Sequence, residues 1–212
     1  KDIIIKLFEK KEYKTIKSIF DTMNPVDTAT LLPEFDEKEM VLLFRLIPKE
    51  NAAMVFTYLE ADAQQILLEA FTDKELKHIM DEMFIDDAVD VIEEMPANVV
   101  SRMLSAAGDK RESINKILNY PEDSAGSIMT TEYIDLKRYM TVEEAFDRIR
   151  KIGVNTESIY TCYVTEQRKL IGVVSVKDLL TTGDNRLVEE IMDFHLDVID
   201  DSEAKSNDSL FS

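Results

Sequence analysis

Along roughly the first 120 positions, apolar residues recur three and four apart in short runs that break at nearly constant intervals. Pro25, Pro48, Thr72 and Pro96 stand 23, 24 and 24 residues apart, and four positions after each comes a small or apolar residue: Ala29, Ala52, Leu76 and Val100. Each of the four marks the start of a short helix. Proline suits a helix's first position, because its missing N–H has no partner there and its φ is already set. Halfway through each interval comes a second, acidic start, in DEKEMVLLFRLI, EADAQQILLEAF, DDAVDVIEEM and GDKRESINKIL. The repeating unit is therefore a pair of helices. Pairs stacked at a fixed interval bury their apolar faces on their neighbours and build a right- or left-handed α-superhelix. The ten methionines fall mostly in such core positions, where a flexible thioether fills irregular gaps.

After Tyr120 the period changes. YIDL reads as a short strand and MTVEEAFDRIRK as a helix capped by Thr141, with Glu144 completing a capping box. IYTCYV alternates, LIGVVSV is a continuous β-branched strand, and SVKDLL opens another helix. The order is β-α-β-β-α. A second copy starts near 191, because IMDFHLDVI aligns with IMTTEYIDL at 128, an interval of 63 residues. It stops short: DDSEAKSNDSLFS carries neither period, so either the sequence ends early or internal residues are missing from it. The expected division is 1–120 helical repeats, 121–185 the first β-α-β-β-α module, and 186–212 the start of a second.

One helix is crowded with acid. FIDDAVDVIEEM places Asp86, Asp90 and Glu93 one above another, with Asp87 and Glu94 beside them. Ile85, Ala88, Val89, Ile92 and Met95 take the opposite side, so two faces are expected to separate. Like charges at i,i+4 cost about 0.2–0.5 kcal/mol per pair in an isolated helix, so a cation against them would relieve a standing cost. By themselves these residues fit a solvated acidic face as well as a cation site.

Charge narrows the partners. The chain has net charge −18, and a pI near 4.5 excludes binding along a nucleic-acid backbone, which depends on clustered Lys and Arg. The exception to the acidic trend is KDIIIKLFEKKEYKTIK, with six lysines among the first 17 residues. That stretch is either a solvated helix face or a contact for anionic lipid or an acidic neighbouring domain. No apolar run approaches the roughly 20 residues of a membrane-spanning helix. No signal-peptide pattern opens the sequence, and a single cysteine, Cys162, points to a reducing, cytosolic setting.

YPEDSAGSIMT, at 120–130, joins the 24-residue helical repeats to a module carrying GVVSVKD. With these features the chain resembles the cytosolic part of MgtE-type magnesium transporters, over nearly its whole length. The resemblance implies an N-terminal superhelical domain followed by cystathionine-β-synthase (CBS) modules, the second incomplete. It also implies a non-enzymatic, magnesium-sensing region on the cytoplasmic side of the cell membrane, a membrane domain of its own as partner, and a homodimer through CBS packing. In such transporters Mg²⁺ bound by carboxylates at domain interfaces favours a compact, channel-closing state. Asp86 and Asp90 match the family's paired acidic positions and are the expected Mg²⁺ ligands, with Asp87, Glu93 and Glu94 in support. Met54 departs from the pattern: it stands where the family has an acid, and thioether sulfur is no magnesium ligand.

The resemblance also raises ATP, which some relatives bind in the CBS cleft. Gly172-Val-Val-Ser175-Val-Lys-Asp178 matches the CBS nucleotide pattern, with Tyr160 and Lys177 as further contacts. The competing reading makes Ser175 simply a helix N-cap and Asp178 a favourable first-turn acid. His78 and His195 have no partner at ligand spacing, Cys162 reads as a buried structural thiol, and no GxSxG, Walker, HExxH or CxxC motif is present. Two other functions remain open: an adenine-nucleotide-sensing CBS regulatory module, and a protein-binding scaffold like the helical domains of flagellar motor-switch proteins.

Overall fold

The computed structural model describes residues 2–121, 124–156 and 158–196. The chain divides into two units between Leu118 and Asn119.

The first unit opens with α1 (Asp2–Glu9) and α2 (Tyr13–Phe20). Four helix pairs follow: α3 (Pro25–Leu31) with α4 (Glu37–Phe44), α5 (Lys49–Thr57) with α6 (Ala61–Ala70), α7 (Asp73–Glu82) with α8 (Ile85–Glu93), and α9 (Ala97–Ala106) with α10 (Arg111–Ile117). The two-helix repeat expected from the sequence is therefore present. Its starts differ in detail. Pro25 sits at the beginning of α3 behind Asn24, whose side chain accepts the Val26 N–H. Pro48 and Pro96 instead occupy the N-cap positions of α5 and α9, one residue earlier than expected. Thr72 caps α7 in a capping box with Glu75, and Asp36 does the same for α4 with Glu39.

Packing between pairs buries the apolar period. Phe44, Phe56 and Phe71, from three successive helices, meet with ring centroids 5.4–6.3 Å apart. Met40, Met80, Met83, Met95 and Met103 are buried, while Met54 is half exposed. Cations stitch the repeats together by satisfying the free carbonyls at helix ends. Arg102 of α9 donates to the carbonyls of Leu68 and Phe71, both at 2.9 Å. Arg45 donates to the Ala70 carbonyl at 3.1 Å and pairs with Glu75 at 2.8 Å.

The second unit has β1 (Ile134–Leu136), α11 (Val142–Ile152), β2 (Thr161–Glu166), β3 (Lys169–Ser175) and α12 (Val176–Thr181). This is the expected β-α-β-β-α order. The sheet order is β1-β2-β3, with β1 parallel to β2 and β2 antiparallel to β3. The Thr141–Glu144 capping box is formed. Ile134, Leu136, Val142, Ala145, Ile149, Cys162, Val164, Val174 and Leu179 make the core, joined by Val188 and Met192.

The last two residues bring the chain after α12 back to this core. Residues 186–193, assigned from the 63-residue interval to a second module, fold back onto the first. The Val188 N–H donates to the Met140 carbonyl at 2.8 Å, and Val173 and Asp193 exchange two backbone hydrogen bonds at 3.0 and 2.8 Å. Val188 and Met192 are buried in the core of this unit. The tail from 197 to 212 lies outside the described residues.

Candidate functional site

Helix α8 carries the acids, and its neighbours decide which of them meet. Ile85, Ala88, Val89, Val91 and Ile92 are buried, a wider arc than two cleanly separated faces would give. The cause is the stack: α8 packs against α10 on one side and meets the α5–α6 turn on another. At that turn a cleft of about 370 Å³ is lined by Thr57, Tyr58, Glu60 and Gln64 and, from α8, by Asp87, Asp90 and Glu94. Asp87, Asp90 and Glu94 are spaced three and four apart, so they project along one line of the helix.

The sequence pair was Asp86 and Asp90. Only Asp90 lines the cleft; Asp86 does not, and its Oδ1 is buried with no hydrogen-bond partner among the described residues. Glu93 is exposed and also lies off the cleft. The structure adds Glu60, the N-cap position of α6, whose side chain makes no capping bond. Its signal in the sequence was the acidic start EADA, read there only as the beginning of a helix. Gln64, buried beside it, donates to the Phe56 carbonyl at 3.0 Å and fixes the turn's wall. Met54 lies one helical turn before Tyr58, half exposed. Among the described residues no group of three or more His, Cys, Asp or Glu side chains stands close enough to hold a metal ion alone.

In the second unit the nucleotide candidates lie around the start of α12. Ser175 is its N-cap: the hydroxyl accepts the Asp178 N–H at 3.1 Å and donates to Asp178 Oδ2 at 2.5 Å. Lys177 and Asp178 are exposed, and Tyr160 is 79% exposed, its carbonyl accepting the Val176 N–H at 3.0 Å. Gly172 of the same motif has a packing role, since a Cβ there would stand 2.9 Å from the Asp193 carbonyl. A cleft of about 630 Å³ opens elsewhere, on the sheet face presenting Thr161, Tyr163 and Thr165, and none of the four nucleotide candidates lines it. Cys162 is buried, and burial pushes its thiol up to about 11, which suits a structural thiol and not a nucleophile.

His195 is exposed and hydrogen-bonds to Asp193 in the same segment. His78 is half-buried, its Nε2 without a hydrogen-bond partner among the described residues. No helix among the described residues is long and apolar enough to cross a membrane.

Comparison with known proteins agrees with this division. Residues 4–123 match the model of the MgtE intracellular N domain, and residues 125–183 match that of the CBS domain. The chain is 26% identical over 191 residues to the magnesium transporter MgtE of Bacillus subtilis, covering 89% of this chain and 42% of that one. It is 28% identical over 190 residues to MgtE of Thermus thermophilus, covering 87% and 42%. It thus spans less than half the length of these relatives. Among solved structures, the cytosolic domain of the Mg²⁺ channel MgtE in complex with ATP superposes with a TM-score of 0.84 at 26% identity, covering 92% of this chain and 80% of the other. The soluble part of a magnesium transporter shares the fold, with a TM-score of 0.82 at 23% identity.

Proposed function

The chain belongs to the MgtE intracellular N domain family and carries a CBS domain after it, and from that premise we propose that it is the magnesium-sensing regulatory region of a magnesium transporter. The observation that carries the proposal is the acid-lined cleft in which Asp90 stands with Asp87, Glu94 and Glu60. Mg²⁺ prefers octahedral oxygen ligands, gives up water reluctantly and is usually held by one or two carboxylates with several waters kept. A cleft of this size leaves room for a largely hydrated ion. Asp90 is the ligand common to the sequence pair and to the cleft; Asp87, Glu94 and Glu60 support it directly or through water, while Asp86, off the cleft, adds only its charge.

The ion works as a switch through charge. Acidic surfaces of neighbouring domains repel one another, and a bound divalent ion lets them approach, so the ion-bound compact state gains over the open one. In the whole transporter this biases a membrane domain toward closing, on the cytoplasmic side, with CBS modules pairing two copies. Isothermal titration of the chain with MgCl₂ tests the reading: it predicts binding without nucleotide and its loss in Asp86→Ala/Asp90→Ala. Unchanged binding in that variant would remove these carboxylates from the mechanism.

A second ligand is supported by the similarity to a structure solved with ATP. ATP binding at Tyr160, Ser175, Lys177 and Asp178 requires the Ser175–Asp178 hydrogen bond to open toward the ligand. Titration with ATP, repeated on Asp178→Ala, reads this separately from magnesium.

A further inference from the structure

We propose that the α1–α2 hairpin is a docking surface for anionic lipid headgroups. Residues 1–20 hold six lysines against three acids in a chain of net charge −18. Lys6, Lys10, Lys11, Lys14 and Lys17 are all exposed, and among the described residues none stands within ion-pair distance of an acid. Along α1 and the residue that follows it, Ile3, Lys6 and Lys10 come at helical spacing, which sets an apolar residue and two cations in one stripe. Ile3 is 68% and Tyr13 38% exposed. Exposed apolar side chains among lysines are the composition of helices that lie at a membrane surface.

The turn between the two helices supports a role for its lysines. The Glu12 N–H donates to the Leu7 carbonyl and the Lys11 N–H to the Phe8 carbonyl, both at 2.9 Å, and Lys11 has φ 57. This is a Schellman ending, whose left-handed position favours glycine. The chain uses glycine at the comparable φ of 55 in Gly108, after α9. At the exposed tip of the hairpin it keeps lysine, which adds a cation to this surface. Phe8 packs on Tyr13 and, in the first helix pair, on Phe35, with centroids 5.9 and 6.2 Å apart, so aromatic contacts hold the hairpin and leave its lysines on the surface.

Charge complementarity argues for an anionic lipid surface, and screening over about 10 Å confines a membrane's attraction to the basic hairpin nearest to it. The exposed Ile3 gains from the interface as well. The test is flotation of the full chain with phosphatidylserine-rich vesicles at low salt in EDTA, which removes any bridging by divalent ions and so separates this proposal from the magnesium reading. Binding is expected to phosphatidylserine but not to phosphatidylcholine vesicles, and to vanish near 1 M salt, where screening falls to about 3 Å. Replacing the five lysines with Gln should weaken it by about 1,000-fold or more, at about fivefold per lysine, with circular dichroism unchanged. Ile3→Gln should weaken it severalfold. The proposal fails if wild-type chain does not float with phosphatidylserine, floats equally with phosphatidylcholine, or is unaffected in the five-lysine variant. It fails equally if the hairpin captures poly-glutamate while vesicles stay bare, which would assign the surface to an acidic polypeptide.

Discussion

Glu60, at the N-cap position of α6, and Asp90, in the middle of α8, line one cleft although they belong to different repeats. Neither position is remarkable along its own helix; the stacking of repeats brings them together. Removing one of the one or two carboxylates that usually hold Mg²⁺ should cost about tenfold in affinity, about 1.4 kcal/mol. Asp90→Asn is expected to show this in calorimetry and Glu60→Gln a smaller loss. If Glu60→Gln leaves affinity unchanged while Asp90→Asn abolishes it, Glu60 is no more than a wall of the cleft.

Met54 occupies α5 one turn before the cleft residue Tyr58 and is half exposed. An acid there adds negative charge near the cleft without opening a cavity. Met54→Glu is therefore expected to raise Mg²⁺ affinity severalfold while changing unfolding free energy by only about 0.5 kcal/mol, as for most surface substitutions. Calorimetry and thermal melts in EDTA read the two effects separately.

How much of this was legible beforehand depended on whether the signal was local. The helix pairs, the Thr141 capping box and the strand order follow from periodicity and side-chain-to-backbone bonds within four residues, and these are visible in a one-dimensional pattern. The tight β2–β3 turn is not: Gln167 and Arg168 both adopt positive φ, 49 and 66, without the Asn or Gly that marks such turns. Glu60 is not legible as a cleft residue because its partners are a repeat away, and the resemblance that points to Asp86 and Asp90 does not show that Asp87, rather than Asp86, faces the α5–α6 turn. Nor does a one-dimensional pattern show that Val188 and Met192 join a core whose other members, such as Val142 and Val174, are distant in sequence.

Gly172 lets the 188–193 segment close on β3. A Cβ there would meet the Asp193 carbonyl at 2.9 Å and Met192 Sδ at 3.0 Å, and the carbonyl is backbone that cannot swing away. Gly172→Ala should destabilise the second unit by about 1–3 kcal/mol, as overpacking typically does. Hydrogen exchange at Asp193, whose N–H donates to Val173 at 2.8 Å, should rise in the variant.

Asp135, in β1, accepts a hydrogen bond from Lys137 at 2.9 Å and pairs with the Arg148 guanidinium of α11, while Arg148 Nε also donates to its carbonyl at 2.7 Å. Burial pushes the Asp135 carboxyl up, but the hydrogen bonds and charges of Arg148 and Lys137 outweigh it and hold it below the usual value. A carboxyl lower in the folded than in the unfolded state stabilises above the unfolded value, about 3.9, and loses that contribution as pH falls through the folded one. Asp135→Asn should therefore lower the melting temperature at pH 7, and the gap to wild type should close as pH drops below about 4. A gap independent of pH would show that packing, not charge, is what Asp135 contributes.

The most direct measurement is small-angle scattering of this chain across a magnesium titration to about 20 mM, well above the 10⁻⁴–10⁻³ M range of weak divalent sites, with wild type and Asp90→Asn side by side. The account predicts that the radius of gyration of the wild type falls as Mg²⁺ rises and that the variant needs about tenfold more ion for the same change. A radius that stays flat for both proteins would contradict it.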